Sequence, residues 1–268
     1  MSGHGYVAVG WNPYKKRYDA TLLAGIVLYL AVFSLLNLAI HPHATVEPTL
    51  IRALGTLAFL LLHVVLSIGP LCRLDSRWLP LLSNRRHLGV ATFVIGLAHA
   101  ALALFQFHAL GVLSPLESLF RSNPRYDSLS EFPFEILGFF ALLILFLMAA
   151  TSHDFWLATL TPMVWKSLHM LVYAAYALLV LHVALGALQS ERSSVLTSIV
   201  SIGFLWIAGL HVTAALRERT LDRPAAEEWI RVARLEEIPD NRARIVAGTK
   251  ERIAVFRFGD RVSALSNV

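Results

Sequence analysis

Six apolar stretches of about 20 residues divide the first 220 positions of the chain. They run over residues 21–40, 51–70, 88–107, 134–150, 168–188 and 195–216, and none holds more than one charged residue. Each is long enough to cross a hydrocarbon core of about 30 Å as a helix that satisfies its own backbone groups. After residue 221 the pattern changes to short alternating runs of apolar and polar residues. Turn signals at Pro239-Asp240-Asn241, Gly248 and Gly259-Asp260 predict about four short antiparallel strands there. About forty such residues cannot bury a useful core alone. The pattern therefore predicts an all-α integral membrane protein. Residues 1–20 form an N-terminal cytoplasmic segment, 21–220 a six-helix transmembrane bundle and 221–268 a short, incomplete β segment. No internal repeat or low-complexity tract stands out.

Composition sharpens this picture. Apolar residues make up 56% of the 268 and charged residues 15%, with a mean hydropathy of +0.61. A soluble domain would carry about 25% charge. The formal net charge of +5 does not point to nucleic acid, because the basic residues collect at the ends of apolar spans, where they set topology. Lys15, Lys16, Arg17, Arg73, Arg77, Arg85, Arg86, Lys166, Arg217, Arg219 and Arg223 fall on one side, and Arg52, Arg121, Arg125 and Arg192 on the other. The positive-inside rule then places both termini in the cytoplasm and spans three and five running outward. The expected location is a bacterial-type inner (plasma) membrane, with lipid as the first partner. The N-terminus does not read as a cleavable signal, since its basic cluster comes late. The single cysteine, Cys72, excludes an internal disulfide and any multi-cysteine metal site. Two connections carry more pattern than linkers do: 111–132 contains a run able to form a short surface helix, and 153–164 reads as an interfacial segment flanked by Trp156 and Trp165.

Histidines inside apolar spans carry the candidate chemistry, because imidazole in hydrocarbon is costly. His169 and His182 lie thirteen residues apart on span five, roughly 20 Å in depth. His99 on span three lies about 20 Å above Arg86, at the level of His182. These two form a candidate pair in the outer half. His169, His63 and His211 fall in the inner half. Haem b takes one or two neutral imidazoles on opposite faces of its iron, held in a dry slot between helices. Paired histidines on facing spans supply that. A lone histidine donating to a neighbouring carbonyl is the plainer alternative, and it weighs most for His63 and His211. At 100° per residue His169 and His182 do not share a helix face, so both ligate only with two haems on different sides of span five, or with a local distortion. Arg85 and Arg86 suit haem propionates or anionic lipid headgroups. Phe105, Phe139, Phe140, Tyr173 and Tyr176 either line haem faces or pack.

The motifs R-R-H-L-G-V with His99 further along, and W-K-S-L-H-M-L-V-Y with His182 after it, resemble the ferric-reductase-like transmembrane family. G-T-L-A before His63 and G-P-L at Gly69 are similar too. The resemblance covers roughly residues 50–187. It implies one or two b-type haems and electron transfer across or into the membrane. The two-haem members carry two histidines about a helix length apart on span three; here the first position falls near Arg85-Arg86-His87, and His63 is the substitute candidate. The tail, with V-A-R-L-E-E-I-P and R-I-A-V-F-R-F-G-D-R-V-S-A-L-S-N-V, resembles the opening strands of a Rieske-type ferredoxin domain. It reads as cut off before the cluster ligands, so a [2Fe–2S] cluster belongs only to a longer version of the chain.

The resulting expectation is a b-type haem protein of ferric-reductase-like oxidoreductase character. His63, His99, His169 and His182 are the candidate metal ligands, and Arg85 and Arg86 contact the cofactor. It would pass electrons between a cytoplasmic iron–sulfur or flavin reductase partner, or quinol, and an acceptor at the outer face. No Gly-rich dinucleotide motif is present, so a nicotinamide or flavin donor would be a separate protein. A second reading is a quinol-dependent haem subunit serving a periplasmic reductase. A third is a non-haem membrane anchor or transporter.

Overall fold

The computed structural model of the chain describes residues 13–191, 193–221, 231–240, 242–247 and 252–266. It divides into two units, Met1–Arg217 and Glu218–Val268.

The first unit is helical. In chain order it contains α1 (Pro13–Ile40), α2 (Val46–Leu74), a 3-10 run (Ser76–Asn84), α3 (Arg85–His108), α4 (Pro115–Arg121), α5 (Phe134–Ala150), α6 (Asp154–Thr159), α7 (Pro162–Met170), α8 (Val172–Leu185), α9 (Ala187–Glu191) and α10 (Ser194–Leu221). Five helical segments are long and apolar enough to cross a membrane, and α5 adds a sixth apolar helix of 17 residues. The connections around 41–45, 109–133 and 186–193 lie at one end, called upper here. Those around 75–84 and 151–161 lie at the other, lower end.

Helix α2 is the most enclosed. Its Phe59, Leu62 and Leu66 join Leu145 of α5, Val172, Ala175 and Tyr176 of α8, and Val200 and Ile207 of α10 in one core cluster. Val65 and Ile68 form a second with Leu88 of α3. Lipid tails are as apolar as these side chains, so close packing and interhelical hydrogen bonds hold the bundle. Fully buried Ala53, Ala141 and Ala175 let the backbones approach. Two helix pairs pack most extensively, α2 with α3 and α5 with α8. By contrast α1 buries none of its apolar window, as a lipid-facing helix should.

The connections are locally specified. Ser114 Oγ accepts from the Glu117 N–H at 3.4 Å and starts α4, with Pro115 in its first turn. His153 Nδ1 accepts from the Phe155 N–H at 3.2 Å to start α6. Thr161 Oγ1 caps α7 through the Val164 N–H at 3.4 Å. Proline in a first turn is tolerated because its missing donor would have had no helical partner.

The fifth apolar span is not one regular helix. It is α7 and α8, parted at Leu171, whose N–H bonds the Leu168 carbonyl at 3.1 Å, three residues back rather than four. This tightened turn separates His169 from His182.

The second unit is a three-stranded antiparallel meander, β1 (Arg242–Ala247), β2 (Arg252–Phe258) and β3 (Arg261–Ser266), in the order β1-β2-β3. Ile245 faces Ala254, and Val255 faces Ala264. Gly259 turns β2 into β3 with φ +59°, a region that costs a side chain strain. Its N–H donates to Asp240 Oδ1 at 2.7 Å. Of the four predicted strands, the described residues contain three. The first would fall near 229–234, where 229–230 lie outside the described residues and 231–234 are irregular. The predicted turn at Gly248 also lies outside them.

Candidate haem-binding site

His99 projects from α3 in the upper half. Its Nδ1–H donates to the Ile51 carbonyl of α2 at 2.8 Å. His182 projects from α8, and its Nδ1–H donates to the Phe134 carbonyl of α5 at 2.8 Å. In each case the neighbouring helix fixes the ring and its tautomer, which leaves Nε2 with the lone pair that a metal needs. The two ring centres are 6.4 Å apart with planes at 83°. Two imidazoles sharing one iron, with metal–nitrogen distances of about 2 Å, have centres roughly 6 Å apart. The spacing of this pair is that of two axial ligands.

Each imidazole rests on a helical glycine. A Cβ at Gly55 would meet the His99 ring at 2.9 Å, and a Cβ at Gly138 would meet the His182 ring at 2.9 Å. Both glycines lie one turn beyond the carbonyl that accepts the same histidine's proton. A step of 83 residues carries Ile51 to Phe134, Gly55 to Gly138 and His99 to His182. The sequence follows the same step. L-G-x-x-A-x-L-x-L begins at Leu54 and again at Leu137, and H-x-A-L-x-x-x-Q begins at His99 and again at His182. The pairs α2–α3 and α5–α8 are thus two renderings of one helix pair, meeting at the histidines. Sequence reading alone overlooked this repeat, because interchangeable Leu, Ile, Phe and Val fill the positions between the shared glycines and histidines.

His169 lies in the lower half on α7. Its Nδ1–H donates to the Trp165 carbonyl at 3.0 Å, and its ring stacks on Trp165 with centres 3.9 Å apart. Its Nε2 is buried and has no hydrogen-bond partner. An orphaned buried acceptor costs about 1–3 kcal/mol, and a metal would relieve it. Arg85 and Arg86 open α3 in the same lower half. They are suited to carboxylates on a bound group.

His63 is placed differently. It is buried on α2 beside Gly203 of α10. Its Nδ1–H donates to the Phe59 carbonyl at 2.7 Å, and its Nε2 accepts from the Tyr176 hydroxyl at 3.0 Å. Both nitrogens are engaged. His211 of α10 donates from Nδ1 to the Ile207 carbonyl at 2.9 Å and lies edge-on to Tyr173. The structure thus brings together His99 with His182, and leaves His169 stacked on Trp165. It sets His63 in a separate pair with Tyr176.

Phe134 contacts the His182 ring at 5.3 Å and occupies the space a Cβ on Gly186 would need. It also lines an open cleft of about 840 Å³ at the upper end, together with Asn123, Arg125, Glu131, Gly186 and Gln189. Arg125 pairs with Glu131 across that loop.

Residues 54–180 match the family model for the ferric reductase like transmembrane component. Over these residues the chain is similar to the ferric-reductase-like transmembrane family. The chain is also similar to the heme-binding subunit MsrQ of protein-methionine-sulfoxide reductase from Ralstonia nicotianae (strain ATCC BAA-1114 / GMI1000). Identity is 32% over 132 residues, which is 49% of this chain and 55% of that protein. The chain therefore spans about half the length of that relative. The family match includes His63, His99 and His169 and ends two residues before His182, and the β unit lies outside it.

Proposed function

We propose that the chain is a b-type haem subunit that moves electrons singly between the two faces of a membrane. The observation that carries this reading is the His99–His182 pair, two imidazoles anchored by separate helix pairs at axial-ligand spacing. The family match over residues 54–180 supports it, and so does a relative named as a heme-binding subunit.

His99 and His182 would hold the upper haem, and His169 a second at the lower level, with Arg85 and Arg86 pairing with its propionates. Bound haem supplies a one-electron couple at each level. The chain's own residues do the rest. The Ile51 and Phe134 carbonyls orient the two imidazoles, Gly55 and Gly138 make room for them, and the α2-centred core keeps water from the slot. For His63 to ligate as well, it would first have to release Tyr176, so we assign it to holding α8 against α2.

The basic residues put the lower end in the cytoplasm, with both termini there. Electrons would enter from quinol or from a flavin or iron–sulfur reductase and leave at the upper cleft beside Phe134. The name of the relative, a subunit of a reductase, favours the version in which a reductase partner is the acceptor, and we place that partner at the outer face. The β unit we read as the opening of a Rieske-type domain, whose cluster ligands are not among these residues.

The test is a reduced-minus-oxidised absorbance spectrum of the purified chain, with haem quantified per chain. A b-type spectrum that decays when a quinone is added to the reduced protein supports the reading. Absence of haem from cells well supplied with it would falsify the cytochrome and promote the anchor or transporter.

A further inference from the structure

The 83-residue step also relates two ring pairs deeper in the bundle. It carries His63 of α2 to Phe146 of α5, and Phe93 of α3 to Tyr176 of α8. Both pairs are in contact. The rings of His63 and Tyr176 are 5.3 Å apart with planes at 81°, and those of Phe93 and Phe146 are 5.8 Å apart at 50°. One contact joins α2 to α8 and the other joins α3 to α5. The repeat thus makes the same cross-connection twice, once with two hydrocarbon rings and once with an imidazole and a phenol.

The polar version is the enclosed one. Phe146 is 49% exposed, whereas His63 is 8% and Tyr176 6% exposed. Helix α10 covers the polar pair, and a Cβ at its Gly203 would collide with His63 Nε2. Joining the helices does not require the polar groups, since two phenylalanines join them at the matching position. Replacing both partners of a buried hydrogen bond by apolar groups of the same shape is also close to neutral. An ionisable pair at this depth therefore points to function.

The pair is built to hold a proton. Nδ1–H is committed to the Phe59 carbonyl, and the Nε2 lone pair accepts from the Tyr176 hydroxyl. A hydroxyl both donates and accepts. When Nε2 gains a proton, it donates to the Tyr176 oxygen, and the contact survives with its direction reversed. Nothing charged opposes this among the described residues of the surrounding core. Phe59, Phe93, Leu145, Val172 and Ile207 represent the five helices packed there, and all are apolar. Ser67, which donates to the His63 carbonyl, and Trp206, which donates to Ser67, are uncharged. His211 lies eight residues below Gly203 on α10, against Tyr173.

His63 is eight residues below Gly55 on α2, and Tyr176 is six below His182 on α8, roughly 12 and 9 Å of helix rise. An electron added at the upper level places a negative charge in a medium that screens it poorly. We propose that His63 and Tyr176 form a proton-holding site coupled to the upper haem, so that one proton enters at His63 Nε2 as one electron enters the iron. This rests on the haem reading and goes beyond it. The electron comes from quinol or a reductase partner and takes ferric iron to ferrous. The proton comes from the aqueous phase, the N–H bond is the only bond formed, and both leave on reoxidation.

The experiment uses the whole chain purified in detergent. The midpoint potential of its low-spin haem is measured by spectroelectrochemical titration from about pH 5 to 8, the range in which imidazole charge changes. The potential should fall as pH rises, approaching about 59 mV per unit for one proton per electron. Two variants should keep the low-spin haem and flatten that slope. One is His63→Gln, whose amide oxygen still accepts from Tyr176. The other is His63→Phe combined with Tyr176→Phe, which copies Phe146 and Phe93. His211→Ala should leave the slope in place.

A potential independent of pH in the unaltered chain would overturn the inference, and so would an unchanged slope in His63→Gln. Loss of the upper haem in His63→Gln would overturn it too, by showing that His63 serves the metal. Absence of haem from the unaltered chain, seen in its spectrum before any titration, would instead remove the reading on which the inference rests.

Discussion

At the upper level each helix pair contributes an imidazole, a carbonyl that orients it and a glycine that seats it. At the lower level the imidazoles do not pair in this way: His169 of α7 bonds the Trp165 carbonyl, and His63 of α2 is held by Tyr176. The same helix pair, used twice, has kept its symmetry at His99 and His182 and lost it one helix length below. The difference shows what each part of the motif is for. A carbonyl orients the lower His169 as well, so the glycine seat is what sets the upper pair apart from it.

Removing a histidine should break the comparison most severely. His99→Ala or His182→Ala takes away one of two proposed axial ligands, and we expect the low-spin haem to be lost almost entirely by haem quantification. Filling a glycine seat is the next largest effect. Gly55→Ala and Gly138→Ala each push a methyl group into an imidazole now 2.9 Å from that position. Overpacking of this kind costs about 1–3 kcal/mol, so both should lower thermal stability and upper haem occupancy. The repeat predicts effects of similar size, and a large loss for one with none for the other would break it.

Tyr176→Phe probes the strut between the levels. It leaves the buried Nε2 of His63 without its 3.0 Å partner, a loss of about 1–3 kcal/mol. Thermal unfolding should register this, and the haem count should not change. Should Tyr176→Phe alter haem count, His63 or its helix is closer to the cofactor than we assign. The smallest effect belongs to Glu117→Ala in α4, which removes an exposed pair with Arg121. Such pairs are worth about 0.3–0.5 kcal/mol, so its melting temperature should scarcely move.

Much of this was legible in the sequence. Six apolar runs marked five helices long enough to cross a membrane and the shorter apolar α5, and residue counts with helix rise placed His99 level with His182. The ends were less clear. Helix α1 starts at Pro13 and passes through Lys15, Lys16 and Arg17, since a helix need not stop where hydrocarbon does. The break at Leu171 left no mark, because it is one backbone hydrogen bond made three rather than four residues back. The engagement of His63 was invisible for another reason. Its partner Tyr176 lies 113 residues away, and only packing of α2 against α8 joins them. Gly55 and Gly138 did carry a signal, each a glycine inside a helix with no turn to make, but that signal acquires meaning only when the two are seen under two histidines.

The central claim is that His99 and His182 share one iron. The most direct measurement compares low-spin haem in the unaltered chain, in His99→Ala, in His182→Ala and in the double variant, by absorbance and electron paramagnetic resonance on protein of known haem content. Our account predicts that each single variant removes the same haem and that the double variant removes no more than either alone. If the two single variants removed different haems, or the double variant lost twice as much, the histidines would not share a metal and the symmetric upper site would be refuted.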